Sequence, residues 1–146
     1  MNPVSAKPFF LAVLVVILIA AYMDDARADW TLHTVSYHVQ FPGARDTDRL
    51  NNFNPGLAYD VTDIFRVGAF YNSYKKPSVY GAFFLPLGDR FRVGAGLVSG
   101  YAFEQGSFRV EGHTAGVIPL IAAEFDVTKH VSVAWFGQAF NLELKW

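Results

Sequence analysis

The chain has 146 residues, no cysteine, 52% hydrophobic and 17% charged residues, and a formal net charge of −1. One domain fits that length, and the missing cysteines exclude disulfide frameworks, thiolate catalysis and Cys-ligated metal centres. The near-neutral balance argues against a nucleic-acid surface built on phosphate contacts, the low charge content argues against disorder, and a mean hydropathy of +0.21 leaves much apolar surface to place.

The first segment takes part of it. A lone Lys7 precedes an unbroken apolar run from Phe9 to Ala21, followed by Ala26-Arg27-Ala28. That order of charged, hydrophobic and small residues marks a secretory signal peptide. As a helix the 13-residue run reaches only about 20 Å, short of the roughly 30 Å of hydrocarbon a permanent anchor must cross. Residues 1–28 are therefore expected to be removed after Ala28, leaving 29–146 as a single domain of 118 residues.

That mature chain has no run of 18 apolar residues and no helical periodicity; it alternates with period two. The first strand, from Thr31, sets Val35, Tyr37, Val39 and Phe41 against Thr34, Ser36, His38 and Gln40. A second covers Phe53 to Val61. The third, from Ile64, opposes Phe65, Val67, Ala69 and Tyr71 to Arg66, Gly68, Phe70 and Asn72. A fourth covers Pro77 to Leu85, and the fifth, from Arg90, opposes Phe91, Val93, Ala95 and Leu97 to Arg92, Gly94 and Gly96. Ala115 to Phe125 and His130 to Phe136 supply the sixth and seventh, and Gly137-Gln138 separates an eighth that sets Leu142, Leu144 and Trp146 against Asn141, Glu143 and Lys145.

Thr62-Asp63, Pro86 to Asp89 and Asp126 to Lys129 carry tight-turn chemistry, whereas Pro42 to Asn52 and Ala102 to Thr114 are longer polar connections. Short turns at one end and longer loops at the other fit an outer-membrane barrel. A soluble sandwich or lipocalin-like barrel also alternates, but its outward face must be charged, and too few charges are present to coat eight strands. The expected fold is thus all-β: an eight-stranded antiparallel transmembrane β-barrel of outer-membrane type, apolar residues outward and polar or small ones inward. The ending on Trp146 after Leu142 and Leu144 fits the same class. With both termini periplasmic, the odd strands run outward, and inward His38 converges with Asn72 and Ser73 on the external rim.

Tyr37-His38-Val39-Gln40-Phe41, Thr47-Asp48-Arg49, the Asn51 to Gly56 stretch with Pro55, and Asn72-Ser73 in a hairpin resemble the lipid A palmitoyltransferases of the PagP type. The resemblance continues through Phe91 to Gly100 and Ile118-Pro119-Leu120, covering most of the mature chain; the His, the Thr-Asp-Arg and the spacing to the Ser are its most specific pieces. It implies an outer-membrane enzyme that moves a palmitoyl chain from a phospholipid donor to lipid A, with a His, an Asp and a Ser at the external side required for activity. His38 and Ser73 match two of these. Asn72 stands where the family has Asp, and cannot carry the charge that stabilises an imidazolium. Asp46 or Asp48 substitutes, or the charge is dispensable, or activity is lost. The family's amphipathic helix before the barrel has no room here.

On the residues alone, the chemistry is acyl transfer: Ser73 activated by His38, with loop amides or Arg49 stabilising the oxyanion. Arg49 and Asp48 are also candidates for lipid A phosphate binding or loop ordering. Gly94 and Gly96 are expected to leave lumen space for an acyl chain, and outward Pro119, lacking an N–H, to loosen strand pairing for lateral lipid access. Structural readings stand beside these: a hydrogen-bonded lumen His, an ordinary Asn-Ser turn, glycines that relieve crowding, and Arg66 and Arg92 paired with Asp60 or Glu124. His33, His113 and His130 lack metal-ligand spacing, so neither metal nor cofactor is expected, and the protein is expected to be monomeric in the outer membrane. Two rival functions remain: a non-catalytic structural or adhesive barrel, and a lipid A or phospholipid deacylase using the same Ser and His.

Overall fold

The structure, a computed structural model, describes residues 30–39, 50–103, 110–137 and 139–146. Residues 1–28, read above as a signal peptide, lie outside them. Eight strands follow in chain order: β1 (Trp30–His38), β2 (Phe53–Asp60), β3 (Phe65–Tyr71), β4 (Pro77–Pro86), β5 (Phe91–Phe103), β6 (Val110–Thr128), β7 (Val131–Phe136) and β8 (Ala139–Lys145). Each pairs antiparallel with its neighbour, and β8 closes on β1 from Thr31↔Lys145 to His38↔Ala139. Closure removes the sheet edges, and no helix occurs among the described residues. The expected all-β, eight-stranded antiparallel barrel is therefore present.

Alternation places the side chains as the sequence predicts. Arg66, Glu124, Glu143 and Ser132 are fully buried inside, whereas Tyr37, Val79, Leu97, Val117 and Ile121 are each more than half exposed on the outside. At the end with the short turns, the interior is ionic. Arg66 donates Nε–H and Nη2–H to Asp60 at 2.6 and 3.1 Å and Nη1–H to Glu124 at 2.8 Å; Arg92 donates to Glu124 at 2.5 Å. Lys145 bridges Glu124 and Asp126. Above this, the rings of His33, Phe70, Tyr80 and Phe136 pack with centroids 5.7–6.1 Å apart. His33 joins the two layers, with Nδ1 2.9 Å from Glu143 and Nε2 3.0 Å from the Tyr80 hydroxyl. The interior is filled by side chains, as expected for eight strands.

Two departures from simple period-two reading matter for the site. A bulge between His33 and Val35 makes His33 and Thr34 both face inward, so His33 and His38 share the lumen despite opposite parity. Within 102–114, read as a loop, residues 102–103 and 110–114 instead belong to β5 and β6, with Tyr101↔Gly112, Ala102↔Glu111 and Phe103↔Val110 paired; residues 104–109 lie outside the described residues. This part of the hairpin stands past the end of β7, where no buried face imposes alternation, so its sequence reads as polar loop.

Candidate functional site

At the end opposite the ionic layer, three neighbouring strands bring three polar side chains together. His38 is the last residue of β1, Ser73 lies in the β3–β4 turn, and Asn52 immediately precedes β2. His38 Nε2 is 2.6 Å from Ser73 Oγ, and His38 Nδ1 is 2.8 Å from Asn52 Oδ1. Backbone bonds fix the three supports: Ser36 N–H donates to Asn52 O at 2.8 Å, and Asn51 N–H donates to Ser73 O at 2.9 Å. Beneath them, Ser36 Oγ donates to Asn54 Oδ1, and Asn54 Nδ2 donates to Tyr71 O at 2.9 Å. His38 and Ser73 are half-buried and Asn52 is exposed, so the cluster lies at the mouth of the barrel.

Asn72 adjoins Ser73 but does not reach His38. It is fully buried and organises the turn. Its Oδ1 accepts the N–H groups of Tyr74 and Lys76 at 2.9 and 3.0 Å, while Nδ2 donates to Ser78 Oγ at 2.8 Å and Gly100 O at 3.2 Å. Lys75 closes the turn in a left-handed conformation, φ 59°. Gly100 sits at the β5 bulge with φ 84°, and a Cβ there would lie 2.2 Å from Ser78 Oγ, so glycine is required for this approach. Tyr74 ties the same turn to the tall hairpin, its hydroxyl donating to Val110 O at 2.7 Å and its ring 5.9 Å from that of Tyr101.

His38 and Ser73 open onto a cavity of about 180 Å³. Phe70, Val98, Ile118, Leu120 and Phe136 give it an apolar lining, with Asn54, Tyr101 and Asn141 as polar interruptions. Pro119 and Ile121, on the outer face of β6, line it as well, so the cavity reaches through the wall. There the β6–β7 ladder ends, among the described residues, at Ala122↔Phe136, followed by Gly137 N–H donating to Ile121 O at 3.3 Å. Among the described residues, the β6 stretch that contains Pro119 is paired to β5 alone.

Gly94 and Gly96 do not line this cavity. A Cβ on Gly94 would lie 2.8 Å from the Phe84 ring, and one on Gly96 would lie 2.0 Å from Gly81 O; these glycines admit a ring and a neighbouring strand. Asp46, Asp48 and Arg49 lie outside the described residues. No cluster of three or more metal-ligating side chains occurs among the described residues. Asn52 was not singled out in the sequence, although extending β2 backwards by its own period puts Asn52 in line with inward Asn54 and Ala58.

The chain matches no protein-family model and no curated protein sequence.

Proposed function

We propose that this chain is an outer-membrane acyltransferase that moves a fatty acyl chain, palmitoyl by the resemblance drawn above, from a phospholipid to lipid A. One observation carries the reading: a serine hydroxyl 2.6 Å from an imidazole nitrogen, at the mouth of an apolar cavity that breaks through the barrel wall. A serine hydroxyl is a weak nucleophile until a base takes its proton, and a histidine at hydrogen-bond distance is that base.

The polar interior and apolar exterior support a membrane location. An interior of paired charges and an exterior of Phe, Leu, Val and Ile suits hydrocarbon outside the wall, with cleavage after Ala28 as the export step. The donor's acyl chain enters between β6 and β7 beside Pro119 and lies against Phe70, Val98 and Ile118. Its ester carbonyl then stands at Ser73. Ser73 Oγ attacks the carbonyl carbon as its proton passes to His38 Nε2; the tetrahedral intermediate collapses with release of lysophospholipid, which leaves with that proton. A lipid A hydroxyl next attacks acyl-Ser73, again losing its proton to His38, and restores the serine. Direct transfer with His38 taking the acceptor's proton uses the same two residues. The sequence offers loop amides or Arg49 for the oxyanion contact, and Thr47-Asp48-Arg49 for lipid A phosphate binding or loop ordering; Thr47, Asp48 and Arg49 lie outside the described residues.

Mass spectrometry of lipid A from cells expressing the protein tests this reading. A palmitoyl-sized mass gain that disappears in Ser73→Ala and in His38→Ala supports transfer. An unchanged profile with inserted protein indicates a non-catalytic barrel, and loss of an acyl chain indicates a deacylase.

A further inference from the structure

The residue that orients His38 is neither Asn72 nor, from what the described residues show, an acid. We infer that Asn52 is the positioning residue of the site: its side-chain carbonyl holds His38 in the tautomer that leaves Nε2 free to take the Ser73 proton. This rests on the acyl-transfer reading for its consequence, but the tautomer itself is a property of the folded chain.

Donors and acceptors around the ring decide the tautomer. A neutral imidazole carries one N–H and one lone pair, and which nitrogen holds the proton is set by what each faces. Asn52 presents Oδ1, which can only accept, at 2.8 Å from Nδ1. The ring proton therefore belongs on Nδ1, donated to Asn52. Nε2 is left with its lone pair, and Ser73 Oγ–H, 2.6 Å away, donates to it. Had Nδ1 faced a donor, the proton would sit on Nε2 and the ring could not act as base toward Ser73.

Backbone bonds give Asn52 a defined place from which to do this. Its carbonyl is fixed to β1 by Ser36 N–H, two residues before His38, and its predecessor Asn51 is fixed to Ser73. Base, nucleophile and orienting group are thus tied together by main chain. The orienting group is neutral, which is sufficient: Asn fills this role in Cys-His-Asn proteases. It aligns the ring without adding a negative charge to stabilise the imidazolium. The other titratable side chains lining the cavity are Tyr74 and Tyr101.

The test uses the full mature chain refolded in detergent micelles and ¹⁵N-labelled on histidine, with the His38 signals assigned by their absence in His38→Gln. Nitrogen shifts in the neutral range are expected to show Nδ1–H for His38 in the parent, and loss of that preference in Asn52→Leu. Phospholipid-to-lipid A transfer is expected to fall about 10²-fold in kcat in Asn52→Leu, with KM for the donor unchanged. Asn52→Asp is expected to keep the tautomer and recover most of the rate. Because its charge favours the imidazolium, it is also expected to move the acid limb of the pH profile upward. A residue 52 that does not contact His38 Nδ1 would leave that limb in place.

An Nε2–H tautomer in the parent overturns the inference, as does an Asn52→Leu protein that folds with tautomer and kcat unchanged. If Asn52→Leu does not refold, the parent's tautomer and the Asn52→Asp pH profile decide. Absence of transfer in every sample, parent included, defeats the acyl-transfer reading instead and leaves the tautomer measurement to decide this one.

Discussion

Replacing Arg66 by Met tests whether the ionic layer holds the closed end of the barrel together. Arg66 is wholly buried and serves three carboxylates: Asp60 through Nε and Nη2 at 2.6 and 3.1 Å, Glu124 through Nη1 at 2.8 Å, and Glu143 at 3.6 Å. Its guanidinium also lies 5.1 Å from the centroid of the Phe84 ring. Met is close in length and can replace the stem's packing, so the loss falls on the charge. What remains among the described residues is four carboxylates, with Asp60, Glu124 and Asp126 facing Arg92 and Lys145, and Glu143 facing His33. Removing one partner of a buried pair typically costs about 3–5 kcal/mol, because the remaining charges are uncompensated. Urea unfolding in lipid vesicles, followed by fluorescence of Trp30, Trp135 and Trp146, reads the difference. The double variant Arg66→Met with Glu124→Leu should lose less than the two singles together, by about 0.5–3 kcal/mol. A single-variant loss below about 1 kcal/mol would refute the reasoning and show that water or protonation already neutralises the layer.

Three further substitutions probe other parts of the account. Asn72→Asp introduces the acid that the resemblance would place there. The structure predicts destabilisation by about 1–3 kcal/mol in urea unfolding and no gain in transfer, because the carboxylate would face Gly100 O, which cannot donate. A sharp rise in activity would show that the family's carboxylate role persists at this position. Ile118→Trp fills the apolar cavity, and palmitoyl transfer should be abolished while thermal stability stays within a few degrees; unchanged transfer would mean that the acyl chain lies elsewhere. Leu97→Arg puts a charge on the exposed outer face at the middle of β5. It should cost about 2–4 kcal/mol in vesicles if that face meets hydrocarbon near the bilayer midplane; a neutral effect contradicts the membrane reading.

Parity made much of the barrel legible. Alternation placed Arg66, Arg92, Glu124 and Glu143 inside and Tyr37, Tyr59 and Tyr71 outside, because a side-chain period of two leaves little freedom once one face is chosen. It failed where the backbone departs from that period. The bulge at His33 is invisible in the string Leu32-His33-Thr34-Val35, since either parity gives a plausible strand. Residues 102–103 and 110–114, in β5 and β6, read as loop because beyond the neighbouring strand ends neither face needs to be apolar. In the site, His38 and Ser73 are legible as reactive types at one end of the barrel, where they meet. Asn72 drew attention to itself by adjacency to Ser73, yet its hydrogen-bonding groups are spent inside the turn. Asn52 contacts His38 across a connection of 14 residues, and a contact between a strand end and the start of the next strand has no local signature. The glycines show the converse: Gly94 and Gly96 looked like lumen space, but a missing side chain is filled by whatever packs nearest, here Phe84 and β4.

The most direct measurement is transfer by purified protein in mixed micelles containing lipid A and a phospholipid labelled in its acyl chain. The account predicts label on lipid A together with unlabelled lysophospholipid, and a loss of about 10²–10⁴-fold in His38→Ala, with Ser73→Ala at least as impaired. Label that stays on the phospholipid, or appears only as free fatty acid, in a protein whose barrel is intact would contradict it.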